Sequence, residues 1–147
     1  MRSAVPGRAR NPPPVADELV VDASAMVKAL TGADATAQAL AERLSVAELH
    51  APHLLDAEVG DVVRRRALQG ALGEEVASAA LWSLDALLDA RYPHAGPLAR
   101  GAWELRDRIR FYDALYVALA ARLELPLLTA DARLARAHGL PCAVEVV

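Results

Sequence analysis

Short apolar runs alternate with longer stretches of helical periodicity from residue 19 onward. Five strands are predicted, at residues 19–21, 48–51, 91–93, 127–129 and 143–146. Seven helices are predicted around them, at residues 23–30, 35–44, 53–69, 74–90, 97–108, 114–123 and 132–137. Strands that alternate with helices usually form a parallel sheet covered on both faces. The pattern therefore predicts an α/β fold with a mostly parallel sheet.

The first 17 residues do not share this pattern. They are rich in proline, arginine and small residues, and too poor in large apolar side chains to offset the entropy of ordering. We expect residues 1–17 to be a disordered extension and residues 18–147 to form one domain. Arg8 and Arg10 are followed by Asn11 and three prolines rather than by an apolar segment, so no secretion signal is expected and the default location is cytoplasmic.

Composition narrows the possible functions. Hydrophobic residues make up 54% of the 147 residues, but no apolar run approaches the roughly 20 residues that cross a bilayer. Cys142 is the single cysteine, so neither an internal disulfide nor a cysteine-based zinc site is expected. The four histidines assemble no site by their spacing. A net charge of −3 argues against a protein that holds nucleic acid through its whole surface, so the acidic residues need a local explanation.

Three aspartates stand where ligands of a parallel sheet usually bind. Asp22 closes the first predicted strand, Asp131 follows the strand at 127–129, and Asp113 precedes the apolar helix at 114–123. Ligands of such sheets bind beyond the carboxyl ends of the strands. Each aspartate alone could simply cap a helix. If the carboxylates converge, however, they need a cation to offset their repulsion and desolvation.

The predicted helix at 53–69 offers a further acid, but its pattern leaves the choice open. Asp56 and Glu58 lie on opposite edges of the apolar stripe, whereas Asp61 falls towards solvent. Helical phase therefore makes Asp61 the weakest candidate and does not choose between the other two. The arginines at 64–66 on the same helix are either a solvated face or a phosphate contact beside the acidic site.

Four segments resemble the signature blocks of PIN-domain nucleases, in the family's order and with similar spacing. The matching segments are LVVDASA (19–25), LDAEV (55–59), YDALYVALA (112–120) and LLTADARLA (127–135). The match is strongest to the VapC-type toxin branch and covers residues 19–147. Only the extension before Leu19 departs from the family pattern, in which the first strand begins close to the N-terminus.

The resemblance implies a fold, a metal and a set of site residues. The implied fold has three layers, α/β/α, around a five-stranded parallel sheet. The implied metal-binding and catalytic acids are Asp22, Glu58, Asp113 and Asp131. Ser24 and Thr129 would be nearby hydroxyls that orient ligands or water. Oxygen ligands suit Mg²⁺ or Mn²⁺, which would support hydrolysis of RNA by a metal-activated water. The resemblance thus selects Glu58 over Asp56.

The resemblance also implies partners. VapC-type toxins pair with a VapB-type antitoxin, and a homodimer is expected. We place both surfaces on the apolar helices between residues 35 and 90, and expect Trp82 and Trp103 to be core or interface anchors. The alternative is a non-catalytic module whose acidic pocket sequesters a basic partner. A phosphotransferase is disfavoured because it needs a lysine late in the chain, and the only lysine is Lys28.

Overall fold

The computed structural model describes residues 16–147, so the disorder predicted for residues 1–17 falls almost entirely outside the described residues. Its strands are β1 (Glu18–Val21), β2 (Glu48–Pro52), β3 (Ala90–Tyr92), β4 (Leu127–Thr129) and β5 (Val144–Val146). Its helices are α1 (Ala23–Thr31), α2 (Ala35–Val46), α3 (Leu54–Leu68), α4 (Glu74–Leu87), α5 (Pro97–Trp103), α6 (Phe111–Leu123) and α7 (Ala132–Ala135). No helix in this part of the chain is long and apolar enough to span a membrane.

The five strands form one sheet in the order β3-β2-β1-β4-β5, and every neighbouring pair is parallel. The chain moves outward from β1 to β3 and then returns past β1 to β4 and β5. Crossovers between parallel strands are almost always right-handed, so this reversal places α1 to α4 over one face and α5 to α7 over the other. The prediction of a three-layer α/β/α fold is confirmed, with a sheet that is parallel throughout.

The core lies on both faces of the central strands, with buried side chains from α1 and α3 on one face and from α6 on the other. Val20 and Val21 of β1 and Leu127 and Leu128 of β4 are fully buried. Central strands that are covered on both faces need no polar alternation, which explains their continuous apolar sequence. Helix α6 packs on β1 and β2 and is buried along most of its length. This packing fixes the start of α6 relative to the carboxyl ends of the strands.

The helix predicted at 97–108 extends too far at its carboxyl end. Helix α5 ends at Trp103, and the chain continues through turns in which the amides of Leu105, Arg106 and Arg108 bond to carbonyls three residues earlier. The Arg106 guanidinium donates to the Trp103 carbonyl at 2.9 Å and lies over the Trp103 ring. The Trp103 carbonyl thus accepts hydrogen bonds from both the amide and the side chain of Arg106, three residues on, where a continuing α-helix would bond it to the amide four residues on.

Candidate metal centre

Asp22 lies at the junction of β1 and α1, where it caps the helix. Its Oδ1 accepts hydrogen bonds from the Ala25 amide at 2.9 Å and from the Ser24 hydroxyl at 2.6 Å, and its Oδ2 accepts one from the Thr129 hydroxyl. Asp22 is only 7% exposed. Burial raises the pKa of the Asp22 carboxyl above its ordinary value of 3.8, although these hydrogen bonds oppose the shift. Its charged form is therefore poorly solvated.

Ser24 and Thr129 connect the end of β1 to the end of β4. Their hydroxyl oxygens lie 3.2 Å apart, and the Ser24 hydroxyl accepts a hydrogen bond from the Ala130 amide at 2.9 Å. The Thr129 hydroxyl accepts one from the Asp131 amide at 3.0 Å. These hydroxyls form a polar link between two chain segments more than 100 residues apart, and the link fixes the orientation of Asp22.

Glu58 reaches the same edge from the second turn of α3. The Tyr116 hydroxyl of α6 donates to Glu58 Oε1 at 2.8 Å. Burial raises the pKa of the half-buried Glu58 carboxyl, the Tyr116 hydrogen bond opposes this, and the charge of Asp113 raises it further. Burial and the neighbouring Glu58 charge also raise the pKa of the Tyr116 phenol, so it remains a donor.

Two arginines form ion pairs with the other two acids, Asp113 and Asp131. Arg110 lies beside Asp113, with its Nε 3.0 Å from Oδ2. Arg133 contacts both carboxylate oxygens of Asp131, at 3.1 and 3.0 Å. The hydrogen bonds from Arg133 lower the pKa of the Asp131 carboxyl. Both arginine side chains are more than three quarters exposed, so these are surface ion pairs that solvent weakens.

All four predicted acids line one cavity of about 500 Å³ at the carboxyl edge of the sheet. Ser24 lines it as well, whereas Thr129 is fully buried beneath. The acids surround the cavity rather than touch one another: within residues 16–147, no three of them have oxygens all within 4.8 Å of each other. The structure therefore brings the four predicted acids to one cavity, where Asp113 and Asp131 form ion pairs with Arg110 and Arg133.

The donor set of this cavity fits a hard divalent cation. The available ligands are carboxylate oxygens from separate elements, which Mg²⁺ and Mn²⁺ prefer, and the cavity leaves room for water and for a substrate phosphate. The negative charge of Asp113 contributes to the raised pKa of both Asp22 and Glu58. A cation bound among them would relieve that repulsion.

A second group of potential ligands lies at the opposite end of the sheet. Glu18, Glu48 and His50 have ligand atoms within 4.8 Å of one another, with His50 Nε2 3.1 Å from Glu18 Oε1. The register of β1 against β2 creates this group, because it pairs Glu18 with Glu48 and places His50 two residue pairs further on, on the same face of β2 as Glu48. Spacing along the sequence gave no signal for it. The group is near the amino ends of the strands and does not belong to the cavity.

Sequence reasoning also missed several residues around the acids. Arg110 and Tyr116 lie three residues before and after Asp113, so helical spacing could have placed both on the same side of the helix start. Arg133 lies two residues after Asp131 and bonds back across the first turn of α7. These residues set the charge and the orientation of the acids, which makes them part of the site.

A PIN domain family model matches residues 19–140, which is most of the chain. The chain belongs to the PIN domain family. Among PIN relatives, Ribonuclease VapC1 of Mycobacterium tuberculosis is 53% identical over 131 residues, which cover 89% of this chain and 98% of that protein. Ribonuclease VapC9 of the same organism is 40% identical over 129 residues, covering 88% of this chain and 98% of that protein. The resemblance to VapC-type PIN proteins is thus confirmed.

A solved structure shares the PIN fold. The crystal structure of VapBC2 from Rickettsia felis, bound to a DNA fragment from its promoter, superposes with a TM-score of 0.66 at 15% identity. The match covers 88% of this chain and 98% of that one. At this identity the similarity supports the fold alone.

Proposed function

We propose that this PIN-domain chain is a metal-dependent endoribonuclease and the toxin of a type II toxin–antitoxin pair. Its relatives VapC1 and VapC9 are named ribonucleases, and the chain matches them over nearly their whole length. The observation that carries the proposal is the cavity at the carboxyl edge of the sheet, which four carboxylates from separate elements line together. RNA phosphodiester bonds are the substrate.

We assign metal binding and catalysis to the four acids of the cavity, Asp22, Glu58, Asp113 and Asp131. When bound there, Mg²⁺ or Mn²⁺ supplies Lewis-acid polarisation of the phosphodiester and lowers the pKa of a water. Ser24 and Thr129 act on Asp22 as positioning residues. Their hydrogen bonds hold its carboxylate towards the cavity against the cost of burial.

Glu58 is suited to accept the proton of the attacking water. Its raised pKa brings it closer to neutral pH than an exposed glutamate, which favours proton transfer. Tyr116 binds Oε1 and thereby directs Oε2 as the proton acceptor. Asp113 and Asp131 would hold the cation in place of their arginine partners, since exposed ion pairs cost little to break.

Cleavage of a defined RNA pool tests this function. The wild-type protein is incubated with Mg²⁺ or Mn²⁺, with and without a chelator, and the cut ends are mapped. Asp22→Asn should abolish cleavage. Asp61→Asn is the matched control, because Asp61 is an exposed acid of α3 that pairs with Arg64 and Arg65 outside the cavity. Cutting that survives the chelator or Asp22→Asn at the wild-type rate would contradict the proposal.

We also propose a VapB-type antitoxin and a homodimer as partners. Large apolar side chains are exposed on and beside α3 and α4, namely Leu68, Val76, Leu81 and Trp82, and we assign this surface to the antitoxin. A second exposed set, Trp103, Phe111 and Tyr112, lies around α5 and the start of α6. Although both surfaces were expected between residues 35 and 90, we assign the homodimer to this second set. Both tryptophans are exposed, which excludes a role in the core and leaves the expected role as interface anchors.

The alternative of an acidic module that only sequesters a basic partner is not favoured. The alignment with a named ribonuclease covers almost all of the domain, and all four acids are present in the cavity. Capture of an antitoxin arginine by the same acids remains compatible with the enzyme, because guanidinium groups already bind Asp113 and Asp131 within this chain.

A further inference from the structure

The cavity that contains the acids extends along α1 to a basic end. Ser24, Lys28 and Thr31 line it together, and their i, i+4, i+7 spacing places them on one face of the helix. At 1.5 Å per residue, Lys28 lies about 6 Å and Thr31 about 10 Å beyond Ser24 along the helix axis. One face of α1 therefore leads from the acids to a lysine.

Helix α3 forms the other wall and shows the same order. Glu58, Val62 and Arg66 line the cavity at i, i+4 and i+8, so Arg66 lies about 12 Å beyond Glu58 along the axis. Arg66 Nη1 donates to the Thr31 hydroxyl at 3.1 Å, which joins the two helices at the far end. Because α1 and α3 follow neighbouring parallel strands, both run away from the acidic edge in the same direction.

The cations at this far end have no acidic partner of their own. Within residues 16–147, neither Lys28 nor Arg66 has a carboxylate oxygen within 4.0 Å, whereas Arg110 and Arg133 are paired at the acidic end. Between the two ends the lining is apolar, with Val27 and Val62. The cavity thus changes from carboxylates to apolar side chains to unpaired cations over about two helical turns.

We propose that Lys28, Thr31 and Arg66 bind the RNA phosphate next to the scissile one. This inference rests on the proposed function, which places the scissile phosphate at the acidic end. An RNA strand carries one negative charge per nucleotide, so the neighbouring phosphate needs a cation about one nucleotide away. The nucleoside between the two phosphates packs against Val27 and Val62. Phosphate contacts of this kind set the register of the strand without reading its bases.

The contact should act on binding rather than on the chemical step. The proposal places Lys28 and Arg66 on the phosphate next to the reacting one, so loss of either charge should raise KM and leave kcat nearly unchanged. Each lost phosphate contact on a single strand also lowers the salt dependence of binding, with a decrease of about 0.7 in the slope of log K against log salt.

Salt-dependent binding of a single-stranded RNA with a mapped cleavage site tests the proposal. The Asp113→Asn background prevents cleavage, and Lys28→Met and Arg66→Gln are compared within it. Because both cations contact one phosphate, we expect the double variant to reduce the slope by about 0.7 and each single variant to reduce it by a part of that amount. Lys28→Arg keeps the charge and should keep the slope. The matched control is Arg64→Gln, because Arg64 lies on the same helix, pairs with Asp61 and does not line the cavity.

A modified RNA makes the test specific to one phosphate. A neutral methylphosphonate beside the scissile position should weaken binding to the background protein and have no further effect when Lys28→Met and Arg66→Gln are combined. If the slopes of Lys28→Met and Arg66→Gln equal that of Arg64→Gln while the wild-type protein cleaves RNA normally, this inference is overturned and the proposed function stays intact. The inference would also be overturned if Lys28→Met and Arg66→Gln weakened only the complex with the antitoxin and not RNA binding. A wild-type protein that neither binds nor cleaves RNA with divalent ions would overturn both.

Discussion

Arg110 donates two hydrogen bonds to Asp113, at 3.0 Å from Nε to Oδ2 and at 3.4 Å from Nη2 to Oδ1. Arg133 holds Asp131 in the same way. Half of the acids in the cavity are thus neutralised by exposed guanidinium groups, while Asp22 and Glu58 are bound only by uncharged donors. A cation that enters the cavity competes with these arginines for the same oxygens.

Removal of Arg110 should therefore tighten metal binding. An exposed ion pair contributes at most about 1 kcal/mol, so we expect Arg110→Gln to lower the Kd for Mn²⁺ by about two- to fivefold in calorimetry. Arg106→Gln is the control, because Arg106 lies over Trp103 and contacts none of the four acids. An Arg110→Gln protein that binds Mn²⁺ no more tightly than Arg106→Gln would contradict this competition.

The stability of the metal-free protein should fall as the pH rises through the mildly acidic range. The pKa values of Asp22 and Glu58 are raised by burial in the folded state, so the folded protein binds more protons than the unfolded chain. This stabilisation is complete below the ordinary values of 3.8 and 4.5 and is lost as the pH passes the raised values. Asp22→Asn should flatten the decrease.

Urea unfolding at a series of pH values with a chelator present measures this effect. Asp61→Asn serves as the control, since Asp61 is exposed and outside the cavity. Addition of Mn²⁺ should restore stability most strongly at the higher pH values, where the carboxylates are ionised and bind the cation. Wild type and Asp22→Asn with parallel stability curves would show that the buried charge has no such cost.

Tyr116 should control the protonation of Glu58. The Tyr116 hydrogen bond lowers the pKa of Glu58, so Tyr116→Phe should raise this pKa and move the acidic limb of the pH–rate profile to higher pH. Tyr112→Phe is the matched control, because Tyr112 is exposed. A shift of the same size in both variants, or in neither, would exclude Glu58 as the group that the limb reports.

The two exposed apolar surfaces should serve different partners. Tryptophan side chains often dominate interfaces, so Trp82→Ser should weaken the antitoxin complex by at least about tenfold and leave the dimer intact. Trp103→Ser should shift the protein towards monomer in light scattering and leave antitoxin binding close to wild type. A protein that is already monomeric at all concentrations would exclude the assigned dimer surface.

The sequence predicted the layers of this fold because its local signals agree. Continuous apolar strands, a helix that is apolar nearly all round and aspartates directly after β1 and β4 all point to a parallel sheet with its site at one edge. The three aspartates follow from these positions. Turns without strong periodicity were less predictable, and periodicity does not encode the contact of the Arg106 side chain with the Trp103 carbonyl at the end of α5.

The choice between Asp56 and Glu58 depends on contacts with residues that are distant in the sequence. Both lie at an edge of the same helical stripe, and only their distant neighbours differ. Arg91 of β3 lies beside Asp56, with Nε 2.8 Å from Oδ2, whereas Tyr116 of α6 meets Glu58. These contacts span 35 and 58 residues, and the Glu18, Glu48 and His50 group likewise requires the strand register. Helical phase cannot supply such information.

The location of the cation tests the central claim most directly. Crystals of the protein grown with Mn²⁺, measured with its anomalous signal, should show a peak in the cavity bound by Asp22 and Asp113, with Arg110 turned away. The same peak should be absent from Asp113→Asn. A peak found only among Glu18, Glu48 and His50, at the other end of the sheet, would contradict the assignment of the four acids as the metal-dependent site.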